Sequence, residues 1–427
     1  MTRHEGMTRT RRLGAVALMA VALSAFLAAC GGSSGKANLV WYINPDSGGQ
    51  DAVAQKCSTD KYTISTQVLP TDASQQRIQL ARRLAAGDSS IDLMSIDPAY
   101  TAEFANAGYL AAIPPSLAGK LKSQSFAGAT KAASWGGKLV VAPFWSNTQV
   151  LWYRKSFVAK AGMDMNKPVT WQQIIQTASA HGGTVAVQAN KYEGYVVWIN
   201  ALIAGAGGEI VGNTQRGADA TIKIASPAGE DAAKVIEDLA RSKASPPDLS
   251  VSNEGTAGST FGSDNGAFMV NWTYIFHNYD TTEPAVAKDI GYTRYPRTVA
   301  GEPSRPPFGG IGIGISKFSN HVDDAVQAVQ CLTSPESQGI NAKITGNMPA
   351  SAAGYRYKPL RKIYPADLLA LFQSSLNAAA PRSVTPYWSD ISSAIQSTWH
   401  SPTSVTGGTP QKSETFIKDV LNGKTLL

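Results

Sequence analysis

The sequence is poor in charge and in cysteine: of its 427 residues, only 16% are charged and three are cysteines. Hydrophobic residues make up 43% of the chain. A disordered chain would combine a low apolar content with a high charge density, so that class is excluded. A small disulfide framework is excluded too, because three cysteines cannot cross-link a chain of this length. The length predicts two or three domain-sized cores, or one large unit of two lobes.

The sequence also contains none of the common catalytic motifs. Its five histidines form no HExxH, and it has no GxxxxGK[ST]. Neither a GxSxG elbow nor a GxGxxG follows a predicted strand, since the one GxSxG match, at 31–35, lies in the polar segment after Cys30. No predicted helix opens directly after the glycine-rich GGIGIG at 309–314, which argues against a phosphate loop. A glycosidase needs two carboxylates, for which Asp97 and Glu254 are candidates. We expect a binding protein without metal or cofactor, and a glycoside hydrolase is the alternative.

The amino terminus carries part of the net charge of +7. Residues 1–12 contain four arginines, residues 13–29 are uncharged and mostly apolar, and Cys30 follows. This order is typical of a secretory signal, and the apolar run is slightly short for a membrane-spanning helix. Without residues 1–29 the net charge falls to +4, so we expect no nucleic-acid partner.

Residues 27–30, Leu-Ala-Ala-Cys, resemble the bacterial lipobox. The resemblance implies cleavage before Cys30, a lipid on its sulfur and an extracytoplasmic protein anchored to the outer face of the cell membrane. An ordinary signal peptide with an incidental cysteine is the alternative. The polar segment 30–37 is then a flexible linker.

Export changes the interpretation of the other two cysteines. Cys57 ends a helical pattern, and Cys331 lies within the apolar stripe of another. In an oxidising compartment the two thiols can form one disulfide, which would place both segments in the same lobe. Two free buried thiols are the alternative.

Strand and helix patterns alternate along the chain, which predicts an α/β fold with a parallel, doubly wound sheet. The predicted strands are 38–43, 62–69, 91–96, 150–154, 184–188, 267–271 and 312–315. The predicted helices are 74–86 with Ser74 as cap, 100–107, 171–181 with Thr170 as cap, 195–204, 227–243, 335–345 and 367–376. Residues 143–147 are a candidate crossing between lobes, and 299–310 form the strongest Gly/Pro break.

Several segments resemble the carbohydrate-binding lipoproteins of bacterial ABC importers. They are QQRIQLARRLAAGDSSIDLMSIDPAYTAEFANAGYL (75–110), APFWSNTQVLWYRK (142–155), FGSDNGAFMVNWTY (261–274) and TGNMPA (345–350). With APRSVTPYW near the end of the chain, they are most similar to the actinobacterial trehalose-binding lipoproteins of the LpqY type. The segment at 44–50 departs from that pattern.

The resemblance implies a two-lobed periplasmic-binding-protein fold of the type II kind, with discontinuous lobes joined by hinge crossovers. We expect residues 38–146 and 305–346 in lobe 1, and residues 147–304 and 347–427 in lobe 2. A disaccharide, above all trehalose, would bind in the cleft of a monomeric receptor that delivers it to the membrane permease. A receptor for another oligosaccharide or sugar derivative is the nearer alternative.

Three side chains have chemistry that suits a sugar. Trp272 offers a flat apolar surface for the CH face of a ring, unless it is a core residue. Asp97 follows a strand, and its carboxylate can accept hydroxyl hydrogen bonds. Glu254 can do the same, with a solvated loop or a helix-start acid as the alternative.

Five further positions complete the predicted ligand-binding site. Asn44 follows the first strand, and Asn147 can both donate to and accept from a hydroxyl, or simply form a loop. Gln76 either reaches the cleft or faces solvent. Arg382 could clamp a hydroxyl pair, or lie on the surface. Gly310, with its neighbour Gly309, would let the backbone approach a ligand, or merely form a turn.

Overall fold

A computed structural model describes residues 36–427, and the predicted leader and Cys30 lie outside the described residues. Residues 38–427 form one compact unit. The strands are β1 (Ala37–Ile43), β2 (Tyr62–Val68), β3 (Leu93–Ile96), β4 (Ser134–Trp135), β5 (Lys138–Leu139), β6 (Ala142–Arg154), β7 (Thr184–Ala186), β8 (Val211–Gly212), β9 (Thr221–Ile222), β10 (Gly266–Trp272), β11 (Ile290–Thr293) and β12 (Phe308–Ile315).

Helices flank these strands along the whole described chain. They are α1 (Gly49–Cys57), α2 (Ala73–Ala85), α3 (Thr101–Asn106), α4 (Pro115–Gln124), α5 (Ala127–Ala132), α6 (Lys155–Ala161), α7 (Trp171–His181), α8 (Glu193–Gly205), α9 (Pro227–Arg241), α10 (Glu254–Gly262), α11 (Ile275–Thr282), α12 (Pro284–Asp289), α13 (Val322–Leu332), α14 (Pro335–Thr345), α15 (Ala352–Tyr355), α16 (Leu360–Ile363), α17 (Ala366–Ala378), α18 (Trp388–Trp399) and α19 (Thr409–Leu421). The expected α/β composition is therefore present.

Eight strands form one sheet in the order β2-β1-β3-β12-β6-β10-β7, with β11 also paired to β6. β1 and β3 run parallel as predicted. β12 runs antiparallel to β3 and β6, and β10 runs antiparallel to β6 but parallel to β7. The prediction of a parallel sheet is thus correct for the pairs β1–β3 and β7–β10 but wrong for the pairs that involve β12 and β6, and the sheet is mixed. A parallel neighbour requires a long crossover, whereas β12 enters through the irregular segment 294–307 and can run the other way.

The long strand β6 belongs to two groups of strands. Its residues Ala142–Thr148 pair with β12. Its residues 149–153 pair with β10, and its residues 151–154 pair with β11. We call β2, β1, β3, β12 and the beginning of β6 the first half of the sheet, and the end of β6, β10, β7 and β11 the second half. The predicted crossing at 143–147 lies within this strand, and the expected lobe boundaries stay a prediction.

Local capping signals set several helix boundaries. The Thr170 hydroxyl accepts a hydrogen bond from the Gln173 N–H, while the Gln173 side chain accepts from the Thr170 N–H, and α7 begins and ends as predicted. Ser334 caps α14, which also has the predicted bounds. The cap predicted at Ser74 is wrong: Asp72 caps α2, since its carboxylate accepts from the Gln75 N–H at 2.9 Å.

A disulfide joins Cys57 to Cys331 across 274 residues of sequence, which confirms the predicted pairing. It connects the end of α1 to α13, and α1 packs against both α13 and α14. Gly49 in α1 has no side chain, which allows Asn341 of α14 to approach it closely. A Cβ atom on Gly49 would lie 2.5 Å from the Asn341 Oδ1 atom.

The C-terminal helices pack on α8 and α9, which lie between β7 and β10 in the sequence. α18 and α19 pack on each other, α18 packs on α8, and α19 packs on α9. α18 also contacts the short turn at Pro98–Tyr100, which follows β3 in the first half. Within residues 36–427, no helix has the length and apolar character needed to cross a membrane.

Removing the disulfide tests how much it stabilises the fold. Cys57→Ala/Cys331→Ala should lower the free energy of unfolding by about 3 kcal/mol, because the cross-link restricts a very long loop of the unfolded chain. Guanidinium chloride unfolding measures the change. A reducing agent should shift the midpoint of the wild type and leave that of the variant unchanged. Equal midpoints for the two proteins in oxidising buffer would contradict the prediction.

Candidate ligand-binding site

Two parallel strands bring Asn44 and Asp97 to the same edge of the sheet. Asn44 follows the end of β1, Asp97 follows the end of β3, and the two strands pair with each other. Ligands of open α/β sheets bind at the carboxyl ends of such strands. The Asn44 Oδ1 atom is buried and accepts no hydrogen bond from the described residues. It is therefore an available acceptor at this edge.

Gln76 lies beside Asp97, near the start of α2. The two residues line one small cavity together with Ser95 and Tyr100. Gln76 is buried, and its Nε2 atom donates to the Pro70 carbonyl at 2.7 Å. The alternative in which Gln76 faces solvent is therefore wrong, and its contact with a ligand stays a prediction.

The buried guanidinium of Arg382 joins Asp97 to a second carboxylate. Its Nη2 atom donates to Asp97 Oδ1 at 2.7 Å, and its Nη1 atom donates to Glu193 Oε1 at 2.8 Å. Glu193 also accepts from the Trp388 Nε1 atom at 2.8 Å and from the Ser392 hydroxyl. Arg382 is only 7% exposed. The alternative of a surface arginine is therefore wrong.

Burial and charge act against each other in this network. Burial raises the pKa of Glu193, although Arg382, Ser392 and Trp388 all favour its ionised form. Burial alone would lower the pKa of Arg382, but the carboxylates of Asp97 and Glu193 outweigh it and hold that pKa above its usual value. The guanidinium therefore stays charged although it is buried.

Glu254 forms a second, half-buried acidic position. It is the first residue of α10, and its Oε2 atom accepts from the Tyr192 hydroxyl at 2.9 Å. Burial raises the pKa of Glu254, hydrogen bonds from Tyr192 and Trp272 oppose this, and the nearby Asp72 carboxylate raises it further. Glu254 is thus a helix-start acid and also a partner of Trp272. Asp72 caps α2, so this position borders the helix that carries Gln76.

Trp272 ends β10 and packs on β12. A Cβ atom on Gly309 would lie 2.7 Å from the Trp272 indole ring. Gly310 has φ +132°, and a Cβ there would lie 2.3 Å from the Trp145 carbonyl oxygen. Both glycines belong to β12, so the turn alternative is wrong. Trp272 is half-buried and keeps part of its surface accessible.

Asn147 lies within β6, close to the point where the strand changes partners. Its Oδ1 atom accepts from the Thr273 hydroxyl at 3.2 Å and from the Met348 N–H at 3.1 Å. Its Nδ2 atom donates to Asn347 Oδ1 at 2.9 Å. The loop alternative is therefore wrong: Asn147 ties β6 to the segments after β10 and α14, and one amide N–H remains for a ligand.

The structure brings the predicted residues together in two groups. Asp97 contacts Arg382, with Gln76 beside Asp97, and Glu254 interacts with Trp272. Asn147 lies next to the residue that follows Trp272. Sequence reasoning missed Glu193 and Tyr192. The sequence does contain a signal for Glu193, because it is the one charged residue at the start of an apolar helix. A helix that is apolar on all sides is buried, and its acid is then buried with it.

A family model described as bacterial extracellular solute-binding protein matches residues 44–339. A probable ABC transporter-binding protein from Deinococcus radiodurans is 24% identical over 369 residues, which cover 83% of this chain and 84% of the relative. The diacetylchitobiose-binding protein DasA from Streptomyces coelicolor is 24% identical over 354 residues, covering 77% and 79%.

Solved structures with the same fold include maltose-bound MalE3 from T. maritima. It superposes with a TM-score of 0.79 at 21% identity, covering 91% of this chain and all of the other. The GacH receptor of Streptomyces glaucescens has a TM-score of 0.74 at 19% identity, covering 90% and 97%. The predicted two-lobed periplasmic-binding-protein fold is thereby confirmed.

The raised pKa of Glu254 predicts how stability depends on pH. Because burial disfavours the ionised form, the wild type loses stability as the pH rises through the folded-state pKa. Glu254→Gln cannot ionise and does not lose this stability. The melting temperature of the variant relative to wild type should therefore increase between about pH 4 and pH 8. Thermal unfolding at several pH values measures it.

The exposed acid Glu302 provides the matched control for this measurement. The difference in melting temperature between Glu302→Gln and wild type should stay constant over the same pH range, because an exposed carboxylate remains in contact with water in the folded protein. A difference for Glu254→Gln that shrinks with rising pH would contradict the prediction.

Proposed function

Because this chain belongs to the bacterial extracellular solute-binding protein family, we propose that it is the receptor of an ABC sugar importer and binds a disaccharide, trehalose, between two lobes. An extracytoplasmic location follows from the family. Membership in a family of binding proteins also confirms the prediction that the chain is not an enzyme. ATP hydrolysis then belongs to partner subunits.

The observation that carries the proposal is the meeting of polar side chains from the two halves of the sheet. Asp97 and Gln76 come from the first half. Arg382 reaches Asp97, and Glu254 is close enough to Asp72 at the start of α2 for their charges to interact. Carboxylates and a guanidinium hold vicinal hydroxyls, and the Trp272 indole offers a face for the ring.

The similar proteins support a ligand of disaccharide size. One relative is described as binding diacetylchitobiose and one solved structure holds maltose, and both sugars are disaccharides. Trehalose is the disaccharide that the sequence resemblance favours. Closure of the two lobes around it would bury the sugar and form the surface that the permease recognises.

The proposed lobes follow the partners of β6. Residues 38–146 and 305–346 contain the first half of the sheet and the disulfide. Residues 147–304 contain the second half, and residues 347–427 supply the helices α18 and α19 that pack on it. The strand β6 and the segments near 305 and 347 are then the crossovers between lobes.

A calorimetric titration with trehalose, maltose and glucosylglycerol tests the ligand. We expect heat with trehalose and an affinity at least about tenfold weaker for the other two, because a mismatched hydroxyl leaves buried polar groups unpaired. Tighter binding of maltose or another oligosaccharide would move the assignment to that sugar. No heat with any of the three sugars or with longer oligosaccharides would refute the proposed function.

Trp272→Ala tests the stacking surface. The loss of the indole should weaken sugar binding at least about tenfold, measured by the same titration. Trp135, in the β4–β5 hairpin, gives the control. Trp135→Ala should retain wild-type affinity. Equal affinities for wild type and Trp272→Ala would remove the proposed role of Trp272.

The lipid anchor is a separate part of the proposal. Cys30 precedes the described residues, and its flanking sequence resembles a lipobox. Cys30→Ser should move the protein from the membrane fraction to the culture medium or periplasm, because no acyl chain holds it. Detergent phase partitioning and immunoblotting measure this. A variant that still partitions into detergent would exclude Cys30 as the anchor.

A further inference from the structure

The ion-pair network at Arg382 connects the two halves of the sheet. Asp97 follows β3 in the first half. Glu193 opens α8, which follows β7 in the second half. Arg382 lies just before α18, which packs on α8. Glu193 and Arg382 therefore belong to one side of the network, and Asp97 belongs to the other.

Glu193 holds Arg382 in a defined orientation. Both of its carboxylate oxygens are occupied, Oε1 by Arg382 and Trp388 and Oε2 by Ser392. All of these donors come from the same side as Glu193. With Nη1 bound to Glu193, the planar guanidinium directs Nη2 towards Asp97.

The contact across the two halves leaves part of Asp97 free. Its Oδ1 atom accepts from Arg382 at 2.7 Å and from the Ala99 N–H at 2.8 Å. Its Oδ2 atom accepts no hydrogen bond from the described residues. Arg382 can thus hold Asp97 while the second oxygen stays available to a hydroxyl.

We propose that Asp97, Arg382 and Glu193 form an electrostatic latch that holds the two halves together before a ligand binds, with Glu193 as its positioning residue. If Asp97 separates from Arg382, the buried guanidinium loses one of its two carboxylate partners. Removing a partner from a buried ion pair is strongly unfavourable. The latch therefore favours the closed arrangement without a sugar. Its effect on sugar affinity rests on the proposed function.

Small-angle X-ray scattering of the ligand-free mature chain, carrying Cys30→Ser, tests the latch. Glu193→Gln keeps the shape of the side chain and removes the charge that fixes Arg382. Asp97→Asn weakens the latch from the opposite side, without altering Glu193 or its partners. Both variants should shift to a larger radius of gyration than the wild type, and the double variant should show little further increase.

Asp289 supplies the matched control. It pairs with Arg154 through a partly buried ion pair at 2.8 Å, and both residues belong to the second half, Arg154 at the end of β6 and Asp289 just before β11. Asp289→Asn should leave the radius of gyration unchanged. Unchanged radii for both Glu193→Gln and Asp97→Asn would overturn the latch, as would an equal increase in Asp289→Asn.

Sugar titration of the same variants separates positioning from a general structural effect. If Glu193 acts through Arg382 on Asp97, Glu193→Gln should weaken affinity tenfold or more in the wild type and much less in the Asp97→Asn background. Equal losses in both backgrounds would overturn the positioning role. If the wild type binds no sugar, the proposed function fails, and the ligand-free scattering still decides the latch.

Discussion

The thirteen-residue strand β6 is the constraint on which the rest of the structure depends. It pairs with β12 at its beginning and with β10 and β11 at its end, so one continuous backbone belongs to both halves of the sheet. Asn147 lies near the change of partners and bonds Asn347, Met348 and Thr273. These hydrogen bonds bring segments distant in sequence to the junction. The side chains that face the junction from either half can then meet, as Asp97 and Arg382 do.

The two acidic side chains Glu193 and Glu254 lower the stability of the fold when they are ionised, because they are removed from water at this junction. Burial raises the pKa of both Glu193 and Glu254, which means that each carboxylate is less favourable here than in water. The chain offsets part of this cost with hydrogen bonds from neutral donors: Trp388 and Ser392 to Glu193, and Tyr192 to Glu254. Carboxylates kept ionised in a buried place bind hydroxyl donors well, because water competes little there. The same burial thus makes the site costly to fold and effective in recognition.

Features with a local cause could be predicted from the sequence, and features with a tertiary cause could not. α7 and α14 have the predicted bounds because Thr170 and Ser334 cap them within one turn. Gly309 and Gly310 also fit a turn, since glycine has no strand preference, yet they lie in β12 where Trp272 and Trp145 leave no room for a Cβ. Arg382 gives no local signal of burial, because its partners are 285 and 189 positions away in sequence. The residue types of the site could be predicted, but their pairing with Glu193 depends on the packing of α18 against α8.

The low charge content of the sequence makes the position of the buried charges informative. Among the Asp, Glu, Lys and Arg residues that the structure describes, only Asp92, Glu193 and Arg382 are buried. Asp92 has a structural role, since it accepts from the Val40 N–H and the Ser319 hydroxyl within the first half. The other two are buried against each other on one side of the junction. A well-packed apolar pair would fill that space at a lower desolvation cost. Their presence is explained if the contact with Asp97 matters more than the stability of the second half, because an apolar side chain could not bind a carboxylate that also stays open to a ligand.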